Sequence, residues 1–492
     1  MEFFKLLRAE DIGRVIGRLD RDVCGIGCDS RLVNAKSIFF CLRGAFCDGH
    51  SYAGEAYRRG CRHFVAERRL SLPSDVTLLL ADNAERRMAL MASDFYGSPA
   101  SKMTVIGITG TKGKTTTARM LMRFLETAGE KCAYIGSSGV FINGIREDLE
   151  NTTPQSPILY RYIAAARDAG VKNMILEISS QALARGRVHG LPISIGVFTN
   201  LSRDHIGTGE HGDMREYADA KLSMFTGHGV QTAVLNGEDA FSDVILHRAD
   251  LRRGILCGNV ARAQYYFRDI CPIRAYGKFG THAVLTCRGR EYGVMLPFAG
   301  RHYVSNLIEA LATAEALTDV GTERLLSCVP SLSVPGRCEV IHMKNGATFV
   351  IDYAHNGASL RAALLGLRPY TTGRLLCLFG AVGDRAQCRR SDMASAACEL
   401  ADFFVITEDN SGGECPEKII GEIYRALPDR SRAVCIPNRE EAIAYLCRIS
   451  VAGDVVLLAG KGDERYQISG GGRLPFCEKD LLLKYADSAR EK

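Results

Sequence analysis

GITGTKGKTTTARM, residues Gly107 to Met120, decides how the chain is read. Its first residues close an apolar run, Val105 to Thr109, of the kind that forms a buried strand. Gly110 and Gly113 follow, then a helical pattern from Thr115 to Ala128 with Gly129 just past its end. Two glycines let the backbone approach a ligand closely and turn its N–H groups inward. A helix N-terminus adds partial positive charge, which suits phosphate oxygens. In that frame Lys114 reaches the outer phosphates of a nucleotide, and Thr115 offers a hydroxyl to Mg2+. The general phosphate loop, G-x-x-x-x-G-K-[ST], is longer between its glycines; here only Thr111 and Lys112 separate Gly110 from Gly113.

Moving outward, apolar runs alternate with helical stretches. NMILEISS and ISIGVFTN are short and nearly all apolar, as strands buried on both faces of a parallel sheet must be. TAVLNGED reads as a further strand. VSNLIEALATAEAL places Leu307, Ala310, Leu311, Ala314 and Leu317 at helical spacing. Upstream, SIFFCLRG and CRHFVAE read as strands, and SYAGEAYRRG as a helix closed by Gly60; YGSPASKM has the composition of a linker. Downstream of PGRCEVI, the runs TFVIDYA, RLLCLFGAV, DFFVITED and DVVLLAGKGDE alternate with helices and predict a second doubly wound sheet. The expected architecture is therefore α/β in three domains: residues 1–101, a central domain over 102–334 and a C-terminal domain over 335–492.

The 492 residues are 46% hydrophobic and 24% charged, an ordinary globular composition. The net charge of +6 is spread along the chain without a basic tail or block, so nucleic acid is not an expected partner. There are 18 cysteines but no C-x-x-C, and Cys24 and Cys28 are the closest pair. Free thiols in a reducing cytosol are expected rather than a zinc site or disulfides. Charges interrupt MEFFKLLRAEDIGRVIG, unlike a signal peptide. No apolar run reaches the ~20 residues that span a bilayer, so the expectation is a cytoplasmic protein without a membrane partner.

Ligands of open α/β sheets bind outside the carboxyl ends of the strands. Glu177 closes the strand NMILE, a costly place for a carboxylate without a partner. His205, with Asp204 beside it, follows the strand ending in Thr199 and Asn200. A strand-end Glu and a nearby His suit a Mg2+ site, directly or through water. Lys221, on a helix, reads from physics alone as a solvated surface charge.

TGTKGKTTT, NTTP, EISSQAL, FTNLSRDHIG, AKLSMF, GRHYVSNLIEAL, PGR, IDYAHN, GDR and GKGDE occur in the order seen in Mur ligases, and nearly the whole chain resembles that family. These are ATP-dependent ligases of peptidoglycan precursor synthesis. CDSR and GAFCDGHSY resemble the UDP-binding domain of the MurE type, which adds the third peptide residue to UDP-N-acetylmuramoyl-L-alanyl-D-glutamate. DHIG, EH and DYAHNG are similar to its lysine-adding branch. The resemblance implies a UDP-binding N-terminal domain, a central ATP-binding domain and a C-terminal, Rossmann-like, amino-acid-binding domain.

It also implies roles for residues. Ser30 and the loop from Gly44 to His50 would contact the uridine diphosphate. Gly110, Thr111, Lys112, Gly113, Lys114, Thr115 and Thr116 would hold ATP, with Asn306, Arg337 and Asp352 on its adenine, phosphate and ribose. Tyr353 and His355 belong to the same motif. Asn151, Thr152, Thr153, Ser179 and Arg187 would bind the muramoyl-peptide. Thr115, Glu177 and His205 would serve Mg2+, joined by Lys221 as its N6-carboxylated form. Lys114, Glu177, His205 and Lys221 would carry the catalysis. Arg385, Asp409, Asn410, Gly460 and Glu464 would line the amino-acid site. The substrates would be the UDP-muramoyl-dipeptide and a free amino acid, and the protein a monomer.

Diaminopimelate-adding relatives carry Asp-Asn-Pro-Arg where this chain has Asp409, Asn410, Ser411 and Gly412. An arginine fork is the natural holder of the extra carboxylate of diaminopimelate. Its absence favours L-lysine, or a similar diamino acid such as ornithine, although the lysine branch usually keeps the proline. Diaminopimelate addition and a non-catalytic nucleotide-binding paralogue are the alternatives.

Overall fold

The computed structural model describes residues 1–44, 47–207, 209–273, 279–384, 388–469 and 472–488. Its contacts group the chain into two compact units. One comprises Met1–Ala118, Gly129–Val234 and Ala240–Gly254; the other comprises Arg119–Ala128, Leu235–Asp239 and Ile255–Lys492.

The first unit contains two sheets. The smaller runs in the order Val15–Ile16, Thr77–Leu80, His63–Ala66, Ser37–Phe40, Gly25–Gly27; only its first pair is antiparallel. Phe40, Val65 and Leu79 from its strands pack with Phe3, Met88 and Met91 in one core. The second sheet has the parallel order Ile195–Phe198, Thr104–Thr109, Asn173–Glu177, Cys132–Gly136. The hairpin Gly139–Ile142 and Ile145–Glu147 adds antiparallel strands to it. Ile106, Ile108, Ile175 and Val197 are fully buried, each contributing about 2 kcal/mol of hydrophobic stabilisation. The strand Thr104–Thr109 lies between two strands that come later in the chain. Its carboxyl end is therefore the crevice where such sheets take ligands.

The second unit holds an antiparallel meander, Tyr265–Ile273, Gly280–Cys287 and Arg290–Leu296, which the alternating runs did not announce. The helix Arg301–Leu317 follows it and buries Leu307, Ala310, Leu311 and Ala314 at the expected spacing. A six-stranded sheet has the order Glu339–His342, Thr348–Asp352, Val455–Ala459, Leu375–Phe379, Phe403–Ile406, Ala433–Cys435. All but its first pair are parallel. Phe349, Ile351, Leu376, Leu378, Val456 and Leu458 make its core with Ile443 and Leu446.

Arg439, at the start of the helix Arg439–Ile449, is buried in that unit. It donates to Glu478 Oε1 at 2.9 Å, Glu408 O at 3.1 Å and Ala459 O at 2.8 Å. One guanidinium thus joins two strand ends to the helix Glu478–Ser488. Among the described residues no helix is long and apolar enough to cross a membrane.

Candidate active site

The helix after the opening strand spans Lys114–Thr127, so the lysine already lies in its first turn rather than one residue before it. Gly110 and Gly113 have φ of +152° and +88°, and a Cβ at Gly110 would collide with the Thr199 hydroxyl. Glycine is required there. The loop is latched from the neighbouring strand. Thr111 N donates to Asn200 O at 2.8 Å, Lys112 N to Asn200 Oδ1 at 2.9 Å, and Asn200 Nδ2 returns a bond to Lys112 O at 3.0 Å. Lys114 Nζ lies 2.9 Å from Gly110 O and 3.2 Å from Thr111 O, folded over the loop. Lys112 pairs with Asp204 at 3.1 Å. Thr116 is buried beneath.

Glu177, 1% exposed, has the partners its burial demands. It accepts from Thr115 Oγ1 at 3.0 Å, Ser137 N at 3.1 Å, Ser137 Oγ at 3.3 Å and the Tyr134 hydroxyl. The muramoyl-peptide residues expected from the resemblance cluster around it. Thr152 Oγ1 is 2.8 Å from Ser137 Oγ, and Thr153 Oγ1 donates to Glu177 O at 2.9 Å. Ser179 N donates to Thr153 Oγ1 at 3.0 Å, while Ser179 Oγ caps the helix Ser180–Ala184. Arg187 donates to Thr153 O at 3.0 Å and pairs with Glu85 at 3.8 Å. Asn151 precedes them and is exposed.

Lys221 is not the surface charge that its helix position suggests: it is 1% exposed. Burial, seconded by the Lys114 charge, pushes its amine well below the ordinary lysine range. The neutral amine is the nucleophilic form that could add CO2. Its Nζ lies 4.5 Å from the centroid of the Tyr217 ring. His205 has φ of +54° and pairs through Nδ1 with Glu210 at 2.9 Å. The Thr115 hydroxyl and Glu177 carboxylate are adjacent hard oxygen donors, which fits Mg2+. Among the described residues no group of three His, Cys, Asp or Glu side chains stands together as a metal site.

In the N-terminal sheet region Ser30 Oγ donates to Glu55 at 2.8 Å, and Gly44 N to Cys47 O at 2.9 Å. His50 stands at the end of that loop. It is buried, with Nδ1 2.6 Å from Asp48 Oδ1 and Nε2 accepting from Glu67 N at 3.3 Å. Both ring nitrogens thus have partners within the domain.

In the second unit, Asp352 Oδ2 accepts from Tyr303 OH at 2.8 Å and Cys338 N at 2.9 Å. The Arg337 guanidinium lies 4.3 Å from the Tyr353 ring centroid. His355 bonds back to Tyr353 O at 2.8 Å. Asn306 is buried on its helix. A second cluster surrounds Lys461, which is 0% exposed. Its Nζ lies 3.6 Å from Asp409 Oδ1, 3.4 Å from Glu464 Oε2 and 3.1 Å from Tyr466 O, and it donates to Asn410 Oδ1. Asn410 Nδ2 donates to Glu464 Oε2 at 2.9 Å, and Tyr353 OH to Glu464 Oε1 at 3.3 Å. Burial raises the Glu464 carboxyl above its ordinary range. Gly460, with φ of +121°, packs where a Cβ would strike Asp409. Asp409, Asn410, Gly460 and Glu464 are thus brought together; Arg385 lies outside the described residues.

Asn200, Tyr134, Ser137, Tyr217 and Lys461 belong to these clusters without having been assigned roles from sequence. Tyr217 stands one helical turn before Lys221, and Lys461 lies inside the quoted GKGDE. Those positions were the available signals.

Three family descriptions match successive parts of the chain: "Mur ligase family, catalytic domain" over 22–91, "Mur ligase middle domain" over 108–314 and "Mur ligase, glutamate ligase domain" over 336–462. A relative from Geobacillus kaustophilus, named UDP-N-acetylmuramoyl-L-alanyl-D-glutamate--2,6-diaminopimelate ligase, is 34% identical, covering 93% of this chain and 94% of its own. A Pseudomonas aeruginosa relative with that name is 34% identical over 92% of each chain. A solved structure titled as such a ligase superposes with a TM-score of 0.68 at 28% identity, covering all of both chains. A folylpolyglutamate synthase from Mycobacterium tuberculosis, at 20% identity and a TM-score of 0.62, shares the fold over 75% of this chain. The phosphate loop, its latch and the buried acid beside it thus stand in a chain that belongs to the Mur ligase family.

Proposed function

We propose that this protein is an ATP-dependent amide ligase that adds a diamino acid, L-lysine in preference, to UDP-N-acetylmuramoyl-L-alanyl-D-glutamate in peptidoglycan precursor synthesis. The observation that carries the reading is the apposition of Lys114, Thr115 and Glu177 with the Thr152, Thr153, Ser179 and Arg187 cluster. In this reading the loop would cradle the triphosphate and the adjoining cluster would receive the acidic peptide. Residues 1–101, 102–334 and 335–492 serve in this reading as the UDP, ATP and amino-acid domains.

A free carboxylate is a poor acyl donor because its leaving group would be oxide. Transfer of the γ-phosphoryl group from ATP to the D-glutamyl carboxylate gives an acyl phosphate and ADP. The amine of the incoming amino acid then attacks the carbonyl carbon. The tetrahedral intermediate collapses with loss of inorganic phosphate and of the amine proton. Lys114 and the loop N–H groups offset charge on the transferring group. Mg2+, when bound by Thr115, Glu177, His205 and carboxylated Lys221, supplies further charge neutralisation on the phosphates. Arg187 and the Thr153–Ser179 pair orient the acyl end, which converts a bimolecular encounter into a placed one.

The preference for lysine rests on Ser411 and Gly412. Gly412 has φ of +60°, a backbone conformation that an arginine would adopt only with strain. Diaminopimelate is the second reading, favoured by the names of relatives at 30–35% identity. The test is phosphate release by purified protein with ATP, Mg2+, UDP-muramoyl-dipeptide and single amino acids. Turnover with L-lysine or ornithine supports the first reading and turnover with meso-diaminopimelate alone the second; turnover with no amino acid defeats both.

A further inference from the structure

We infer that Tyr217 is a positioning residue that registers the phosphate loop against the helix carrying Lys221 and against the segment holding Ser180. It lies on the helix Met214–Gly227, which Asp213 begins by accepting from Glu216 N at 2.8 Å. Its side chain is fully buried, and its hydroxyl donates to Thr111 Oγ1 at 3.0 Å. The same oxygen accepts from Ser202 N at 2.9 Å. One turn along the helix, Lys221 Nζ stands 4.5 Å from the ring centroid. The rings of His205 and His211 lie 6.0 Å and 5.2 Å from it. His211, itself buried, reaches Ser180 Oγ with Nε2 at 2.9 Å.

One ring therefore touches groups from the loop, the lysine helix, the His205 segment and, through His211, the helix that Ser179 caps. A phenylalanine would fill the same space but lose the hydroxyl's bond to Thr111, which lies between the two glycines of the loop. A buried hydroxyl is costly unless it is bonded, so the Thr111 contact is held rather than incidental. Gly110 and Gly113 leave the loop backbone with wide conformational freedom when nothing pins it. Fixing the Thr111 side chain from both Ser202 and Tyr217 removes part of that freedom before nucleotide arrives, which raises affinity by preorganisation.

The inference uses the ligase reading for its kinetic readout. The experiment compares wild type, Tyr217→Phe, Thr111→Val and the double variant, with ATP, muramoyl-dipeptide and amino acid varied in turn. Tyr217→Phe should raise the KM for ATP about fivefold, the worth of one neutral hydrogen bond, and leave the KM for the amino acid within about twofold. In the Thr111→Val background, Tyr217→Phe should add less than about 1.5-fold, because the bond is already gone. ADP affinity by calorimetry should weaken in parallel in the single variant. An unchanged KM for ATP, multiplicative effects in the double variant, or equal rises in KM for all three substrates would overturn the inference; the last would mean a merely structural role. If wild type turns over with no amino acid, the ligase reading fails, and the ADP measurements alone still decide the role of Tyr217.

Discussion

The loops Gly110–Lys114 and Gly460–Glu464 both leave a largely buried parallel strand through a glycine with positive φ, and each includes a lysine folded close to its own loop, Lys114 in one and Lys461 in the other. Lys114 folds onto two carbonyl oxygens of its own loop. Lys461 is sealed among Asp409, Asn410 and Glu464. Carbonyls are neutral acceptors that an incoming phosphate outcompetes, so Lys114 can exchange them for a ligand. Carboxylates in a dry pocket are not readily exchanged, since separating such a pair leaves bare charge behind. The residue type and the turn are shared; the recorded partners differ, neutral carbonyls in one loop and carboxylates in the other.

The sharpest way to break this contrast is to remove each ammonium in turn. Lys114→Met should lower kcat about 1000-fold, as loss of a charge-stabilising donor does, while the urea midpoint moves little. Lys221→Ala should cut turnover by ~100-fold or more, with partial return on adding formate as a substitute oxygen donor; wild-type rates would remove the carbamate role. Lys461→Met should act in the opposite sense to Lys114→Met. It should lose about 3–5 kcal/mol of stability in urea titration, because Asp409 and Glu464 stay buried without their cation, and raise the KM for the amino acid with little change in that for ATP.

The smallest effect refines the second loop. Burial raises the Glu464 carboxyl above the ordinary glutamate value. The folded state then holds a proton that the unfolded chain has released, so this group's contribution to stability falls as pH rises from the ordinary glutamate pKa through the raised one. Glu464→Gln should flatten that part of the stability–pH curve, read from urea midpoints across the acid range. An unchanged curve would mean that Glu464 is fully compensated by Lys461 and Asn410.

Local pattern was enough to place the strand Thr104–Thr109, the glycine turn and the following helix, because a short apolar run, a turn and a helix start are neighbours in sequence. Glu177 was legible for a related reason: a charge closing an apolar strand advertises that it needs partners. The identity of those partners was not legible. Tyr134 and Ser137 meet Glu177 across some 40 residues of chain, and Tyr217 meets Thr111 across 106. Lys221 was singled out only through family resemblance, since its helix does not announce that it is buried on the lysine side. The meander Tyr265–Leu296 was missed because half-exposed antiparallel strands alternate weakly where turns and charges interrupt them.

Arg439 gives the last helix a significance beyond packing. A fragment ending before Glu478 would keep every strand of the six-stranded sheet, yet it would strand a guanidinium in a dry interior with only carbonyls for company. The same group ties down Glu408 and Ala459, the residues from which the Asp409 and Gly460 segments depart. Trimming the far end of the polypeptide would therefore be felt first as slack in the side-chain cluster around Lys461 rather than as melting of the sheet.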